Sequence, residues 1–370
     1  MTNQGWFSFQ TKLTYWKNGF NLIKVGPWQD ATVDFGLVRK WVQTCKEDHP
    51  ESVCGTPNIP LREDAEREFR LIDIEKMCVV LAPSTEEYAA LSYVWGKSGA
   101  KLELVKSNQS AIETEGSLLE HHLPETISDA MSVCKELGIN YLWVDALCIV
   151  QDAAEIKLSQ ITSMDKIYSN ASLTIIALAA TSGASGLVGT ANRPRQEWLF
   201  SPREYLPQMH ETKSSLPNEL LAAVWNTRGW TYQERILSRR CLYFGQSSVY
   251  FQCRQVLSWK ETHLQYPKGI RDLFVSYGRW GPSKGEEFTK YCECVESYTR
   301  RELTQKSDMI NAFTGASEAL SSTFKTTFFL GLPEKFFHSA LVWYFNHNEQ
   351  RPQSGERTDF PSWSWAGSLG

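Results

Sequence analysis

No stretch of this 370-residue chain approaches the roughly 20 apolar residues a membrane helix requires. The best candidates, residues 141–150 and 173–180, are of strand length, and the first contains Asp145. The N-terminus, MTNQGWFSFQTK, lacks the basic and apolar regions and the small-residue cleavage site of a leader. An excess of one charge is missing too: 38 Lys and Arg stand against 42 Asp and Glu, a net charge of −4. Such a balance offers no global field to collect phosphate backbones, which argues against a general nucleic-acid binder. These absences predict a cytoplasmic protein with no membrane span and no nucleic-acid partner. There is also no internal repeat and no low-complexity tract.

Familiar catalytic signatures are absent as well. The seven histidines fall in no HExxH or triad-like context, and the small-residue loop at 182–186 has no phosphate-binding lysine. The nine cysteines are odd in number and scattered through apolar segments, so they do not read as a disulfide framework. Two groupings stand out, Cys45-x3-His49-x4-Cys54 and Cys292-x-Cys294. Zinc wants four ligands, and neither supplies them. The expectation is therefore packed thiols and no metal. Cys148 has no histidine near it in sequence and reads as a buried thiol.

What is present is the composition of a globular protein, 42% hydrophobic and rich in tryptophan, with 14. Residues 1–65 read as an extension carrying Trp6, Trp16, Trp28 and Trp41, closed by the turn-rich CGTPNIPL. The run REDAEREFR reads as a solvated face or loop. LIDIEKMCVVLA and YAALSYVWG are strand-like. From Pro124 the spacing of Ile127, Ala130, Met131, Cys134 and Leu137 predicts a helix stopped at Gly138. YLWVDALCIV follows as a buried strand, then a helix marked by Ile156, Ile161, Met164 and Tyr168, then the strand SLTIIALAA. Strand-helix alternation of this kind predicts a parallel sheet with crossover helices, whose ligands sit beyond the carboxyl ends of the strands. That points to residues 92–96, 145–151 and 182–186. Further on, a helix over 229–238 should lead into two strands, CLYF and SVYFQC. Residues 286–321 look helical, and 335–346 reads as an apolar helix or strand.

Three long blocks in order, YAALSYVWG, then LPETISDAMSVCKELGINYLWVDALCIVQD with the trailing MDKIYSNASLTIIALAA, then RGWTYQERILSRRCLYF, resemble the fungal heterokaryon-incompatibility (HET) domain. CKEDHPESVC, DMINAFTG and PSWSWAGSLG resemble segments that accompany it. The resemblance implies a flavodoxin-like, TIR-like α/β core over residues 66–260, flanked by helices. The extension at 1–65 precedes it, and a mainly helical region at 261–370 packs on it. It also implies a fungal protein of self/non-self recognition acting in programmed cell death, with an incompatibility partner of unknown identity. Relatives often continue into further structure or a sensor region, so the ending at PSWSWAGSLG suggests a shortened member.

A more distant similarity to TIR domains, several of which cleave NAD, carries residue-level content. LSYVWG stands where the first TIR strand and loop would be, and Trp230-x3-Glu234 has the spacing of the TIR tryptophan and catalytic glutamate. The similarity implies NAD as a substrate rather than a permanently bound cofactor, Glu234 as the catalytic carboxylate, and self-association. Ser92, Tyr93, Trp95, Gly96, Asp145, Arg228 and Trp230 would line the nucleotide site. Each has a plainer reading. Glu234 could pair with Arg228, Arg235 or Arg239, Arg228 could merely anchor Glu234, and Asp145 could be satisfied by backbone donors at a strand end. Ser92 and Tyr93 could form only a tight strand-to-loop turn in which Gly96 provides backbone freedom. Two functions stay open: an NAD-consuming domain, and an adaptor that acts through protein contacts. Recruitment of the fold to another small-molecule reaction ranks below both.

Overall fold

The computed structural model describes residues 14–17, 20–23, 31–96, 102–195, 215–246, 248–256, 259–260, 287–343 and 360–367. The side chains of Trp6, Trp16 and Trp28 and the polar stretch at 196–214 lie outside the described residues. No helix among the described residues is long and apolar enough to cross a membrane.

Eight strands form one mixed sheet. In chain order they are β1 (Arg70–Asp73), β2 (Cys78–Leu81), β3 (Tyr88–Ser92), β4 (Tyr141–Trp143), β5 (Leu173–Ile176), β6 (Arg240–Phe244), β7 (Val249–Cys253) and β8 (Trp259–Lys260). Their spatial order is β8-β7-β6-β5-β3-β4-β1-β2. The four central strands run parallel: β3 pairs with both β4 and β5, and β5 pairs with β6. The outer strands run antiparallel. β3, β5 and β6 are buried at every position, as strands covered on both faces must be.

The crossovers explain that order. After β3 the chain passes through α1 (Glu125–Leu137) to β4 on one side of β3. It then passes through α2 (Ala154–Ile161) and α3 (Met164–Asn170) to β5 on the other side. α1 buries Ile127, Ala130, Met131 and Cys134, and ends at Gly138, whose φ of 71° only glycine adopts freely. The parallel strands thus follow a second-first-third-fourth order, and the switch point lies at β3 and β5, where this class of sheet opens a crevice at its carboxyl edge.

The helices near the C-terminus pack over α4 (Trp230–Leu237), which precedes β6. α5 (Glu287–Thr299) and α6 (Asn311–Phe324) bring Tyr298 and Phe313 onto Tyr232, with Tyr298 and Phe313 ring centroids 5.0 Å apart. Trp365, from the terminal PSWSW motif, meets Phe313 edge-on at 5.3 Å and Tyr298 at 5.8 Å. Burial of each such ring contributes roughly 1.5–3 kcal/mol, and the edge-on geometry adds somewhat more. At the other flank a helix over Phe35–Asp48 sets Trp41 against Phe251 of β7, 6.3 Å between rings.

Five local readings are corrected. LIDIEKMCVVLA is a hairpin, β1 and β2, rather than one strand, and it adds an antiparallel edge to the parallel core. YLWVDALCIV stays extended only through Trp143. Asp145 accepts from its neighbour's N–H at Ala146, 2.8 Å, and opens a short helix, Asp145–Cys148. The helix expected over 156–168 is two, broken where Ser163 turns its hydroxyl back to Ser159 O at 2.9 Å. REDAEREFR contains a short helix, Glu63–Arg67. Of 335–346, residues 344–346 lie outside the described residues, and among 335–343 only Phe337–Ala340 is α-helical. All nine cysteines are free thiols; eight are buried, and Cys292 is exposed on α5 while Cys294 faces inward.

Candidate active site

The three places indicated by strand ends converge at the switch point. Ser92 is the last residue of β3, and Tyr93, Trp95 and Gly96 follow it. Trp95 Nε1 donates to Asp145 Oδ2 at 2.7 Å, joining the β3 turn to the segment after β4. Gly96 has φ +85°, and a Cβ there would stand 2.8 Å from Ser182 Cβ, so the loop at 182–186 lies directly on it. Gly183 N–H donates to Trp95 O at 3.3 Å. Gly96 is therefore a position of both backbone freedom and close approach.

Glu234 comes to this place from α4. It is 7% exposed, and its Oε2 accepts from the Ser92 hydroxyl. Ser92 in turn accepts from Trp225 Nε1 at 2.8 Å. Tyr168, whose hydroxyl also donates to Leu91 O at 3.3 Å, lies within hydrogen-bonding reach of the same carboxylate. Burial pushes Glu234 up to about 7, against the opposing pull of the Ser92 hydrogen bond and the Arg228 charge. Asp145, half-buried at the rim, is pushed up to about 6 by burial, with Arg228 and the Trp95 hydrogen bond pulling the other way. Burial also holds the Tyr93 phenol well above its usual value, so it stays neutral.

Arg228 is half-buried, and its Nη1 donates to Tyr93 O at 2.7 Å. The segment carrying it is clasped by the end of α5. Gly229 N–H donates to Glu302 O at 2.7 Å, and Glu302 N–H to Thr227 O at 2.6 Å. Arg301 reaches Asn226 Oδ1 at 2.7 Å and Thr231 Oγ1 at 3.1 Å, with its guanidinium 5.1 Å over the Tyr232 ring. A Cβ on Gly229 would stand 2.4 Å from Leu303, so this contact needs glycine.

Ser92, Tyr93, Trp95, Gly96, Asp145, Arg228 and Glu234 thus share one locality. Trp230 differs: it is half-buried and hydrogen-bonds Asp308 of the C-terminal region, whose carboxyl is pushed up by burial. The indole that touches the Ser92–Glu234 pair is Trp225, fully buried and passed over by sequence reasoning. In the sequence Tyr168 stands out only as a helix marker. The available signal was weak, a Trp three residues before Arg228 in a segment without periodicity.

A site that combines a buried carboxylate near neutrality, a second carboxylate, a guanidinium and indoles at the switch point of an α/β sheet is suited to a charged, ring-bearing ligand. That defines the class: an α/β domain with an acidic site at its carboxyl edge. Residues 88–234 match the family described as Heterokaryon incompatibility protein (HET), and the chain carries a HET domain. Heterokaryon incompatibility protein 6, OR allele, of Neurospora crassa is 27% identical over 142 residues, which cover 36% of this chain and 21% of that relative. The match thus spans about a fifth of the relative's length. No solved structure matches the chain.

Proposed function

We propose that the chain acts in fungal heterokaryon incompatibility and that its HET domain, TIR-like in arrangement, triggers cell death by hydrolysing NAD at the bond between nicotinamide and ribose. The observation that supports this reading above the others is Glu234, a buried carboxylate at the switch point with a pKa near 7.

The chemistry asks little of the protein. Nicotinamide is cationic in NAD and departs neutral, so no leaving-group acid is needed. The ribose carbon gains positive charge as the bond breaks, and an ionised Glu234 stabilises it. Water then adds to that carbon, loses a proton and completes ADP-ribose. Ser92 and Trp225 fix the carboxylate's direction, which matters because pre-oriented groups need no reorganisation as charge develops. Arg228 suits the diphosphate, and Trp95, held by Asp145, offers an aromatic face.

A second reading has its own observation. Glu234 is already hydrogen-bonded by Ser92 and backed by Trp225 and Tyr168, the environment of a carboxyl that holds a fold together. On that reading the domain is an adaptor acting through self-association or an incompatibility partner. Incubating the purified protein with NAD at increasing protein concentration, and following nicotinamide by chromatography, separates the two. Release that Glu234→Gln abolishes supports hydrolysis. Intact NAD at every concentration, with cell killing retained by both proteins, would sink it.

A further inference from the structure

The grouping Cys45-x3-His49-x4-Cys54 acquires a fourth member in the fold. Cys45 lies on the buried face of the N-terminal helix Phe35–Asp48, His49 directly follows that helix, and Cys54 ends the next helical turn, Glu51–Cys54. Cys253 arrives at the end of β7. The four ligand atoms all lie within 4.8 Å of one another. His49 Nδ1 stands 3.6 Å from Cys54 Sγ and 3.4 Å from Cys253 Sγ. A tetrahedral zinc with Zn–S of about 2.3 Å and Zn–N of about 2.0–2.1 Å has S···N edges of about 3.6 Å and S···S edges of about 3.8 Å. The spacing already fits.

The surroundings carry the second argument. Arg240, 3% exposed, directs Nε to Cys45 Sγ at 3.2 Å, and Val256 N–H donates to Cys253 Sγ at 3.3 Å. N–H groups aimed at sulfur are what a coordinated thiolate gathers around itself. Arg239 and Arg254 flank the same thiols electrostatically. Among the described residues these three guanidiniums have no carboxylate partner. They bond instead to the carbonyls of Val53, Ser172 and Leu237. Neutral thiols would leave the buried Arg240 charge without compensation, with the half-buried Arg239 and Arg254 beside it. Three thiolates, one imidazole and a divalent ion together carry one negative charge.

We propose that Cys45, His49, Cys54 and Cys253 bind one zinc ion in a closed, structural site. All four positions are taken by protein, so no place is open for water or substrate and the role is mechanical. The ion ties the N-terminal helix and its following turn to the last strand before residue 254. It sits at the amino end of the parallel strands, where Cys253 pairs with Arg240, the first residue of β6, away from the Ser92–Glu234 end.

The test uses the full chain, expressed with zinc and passed into metal-free reducing buffer. Wild type and Cys292→Ala, which alters an exposed thiol elsewhere, should each retain about one zinc per chain, and Cys253→Ala below about a tenth of that. Replacement by cobalt(II) should give the thiolate charge-transfer band and intense visible bands of a tetrahedral S3N centre. His49→Cys should keep the metal and move those bands to lower energy, as an S4 set would. This arm decides the matter even if Cys253→Ala fails to fold. The proposal is overturned if wild type holds no zinc and shows no charge-transfer band with cobalt, if it forms a disulfide among these cysteines in place of metal uptake, or if His49→Cys leaves the cobalt bands unmoved.

Discussion

At the carboxyl end of β3 the buried groups are a carboxylate, two hydroxyls and an indole, with Arg228 half-exposed beside them. At the opposite end, where β6 begins and β7 finishes, three thiols and an imidazole sit among arginines that no described carboxylate meets. The first end can change charge near neutral pH, because burial has brought Glu234 close to its titration point. The second brings four ligand atoms within 4.8 Å of one another and is suited to hold an ion fixed. One sheet thus separates a responsive end from an anchoring end.

The largest expected effect tests the anchor. Stripping zinc with a strong chelator should lower stability by on the order of 5 kcal/mol, seen as a drop in melting temperature that added zinc reverses. An unchanged melting curve would erase the contrast between the ends.

At the other end, Glu234→Gln should cut nicotinamide release by about 100- to 1,000-fold while leaving zinc content intact. The same substitution should stabilise the fold by about 1–3 kcal/mol at pH 8. The sign follows from the raised pKa. The folded state binds the Glu234 proton more tightly than the unfolded state, so this contribution is full below the ordinary glutamate range and is lost as pH rises through about 7. Gln keeps the neutral form's shape at every pH, so its advantage over wild type should fade below about pH 4.5. Hydrolysis, which needs the ionised form, should rise with pH through about 7. Urea titrations at several pH values and pH–rate profiles check both.

Gly229→Ala should cost about 1–3 kcal/mol by overpacking against Leu303, and should weaken NAD cleavage through displacement of Arg228. Denaturant midpoints and KM for NAD would show it. The smallest change is Trp225→Phe, which removes the Nε1 donor to Ser92. A loss of about 1 kcal/mol is expected, with release reduced far less than by Glu234→Gln.

The order of elements was legible because periodicity and stop signals coincide in segments such as 124–138, and the three strand ends pointed to one locality because parallel sheets open there. What escaped depended on contacts distant in sequence. Trp225 touches Ser92 from 133 positions away, and Cys253 stands 204 positions after His49. Spacing rules see three metal ligands and stop, since no local pattern announces which strand supplies the fourth. Asp145 is visible in the sequence as a polar residue inside an apolar run. That the strand ends before it and a short helix starts at it, with its carboxylate accepting from the next residue's N–H, is something apolar patterning does not register.

The segment recognised by the family match, 88–234, stops inside α4 and excludes β6 and β7. Its last helix would lose the Tyr298 and Phe313 rings that cover Tyr232, with Trp365 packed behind them, and the clasp of Arg301 and Glu302 on residues 226–231. That segment is accordingly a signature of ancestry rather than a piece that can be cut out and expressed. A recombinant boundary drawn there would bare an aromatic face and half a sheet, and insoluble product would be the consequence of the cut rather than a property of the domain.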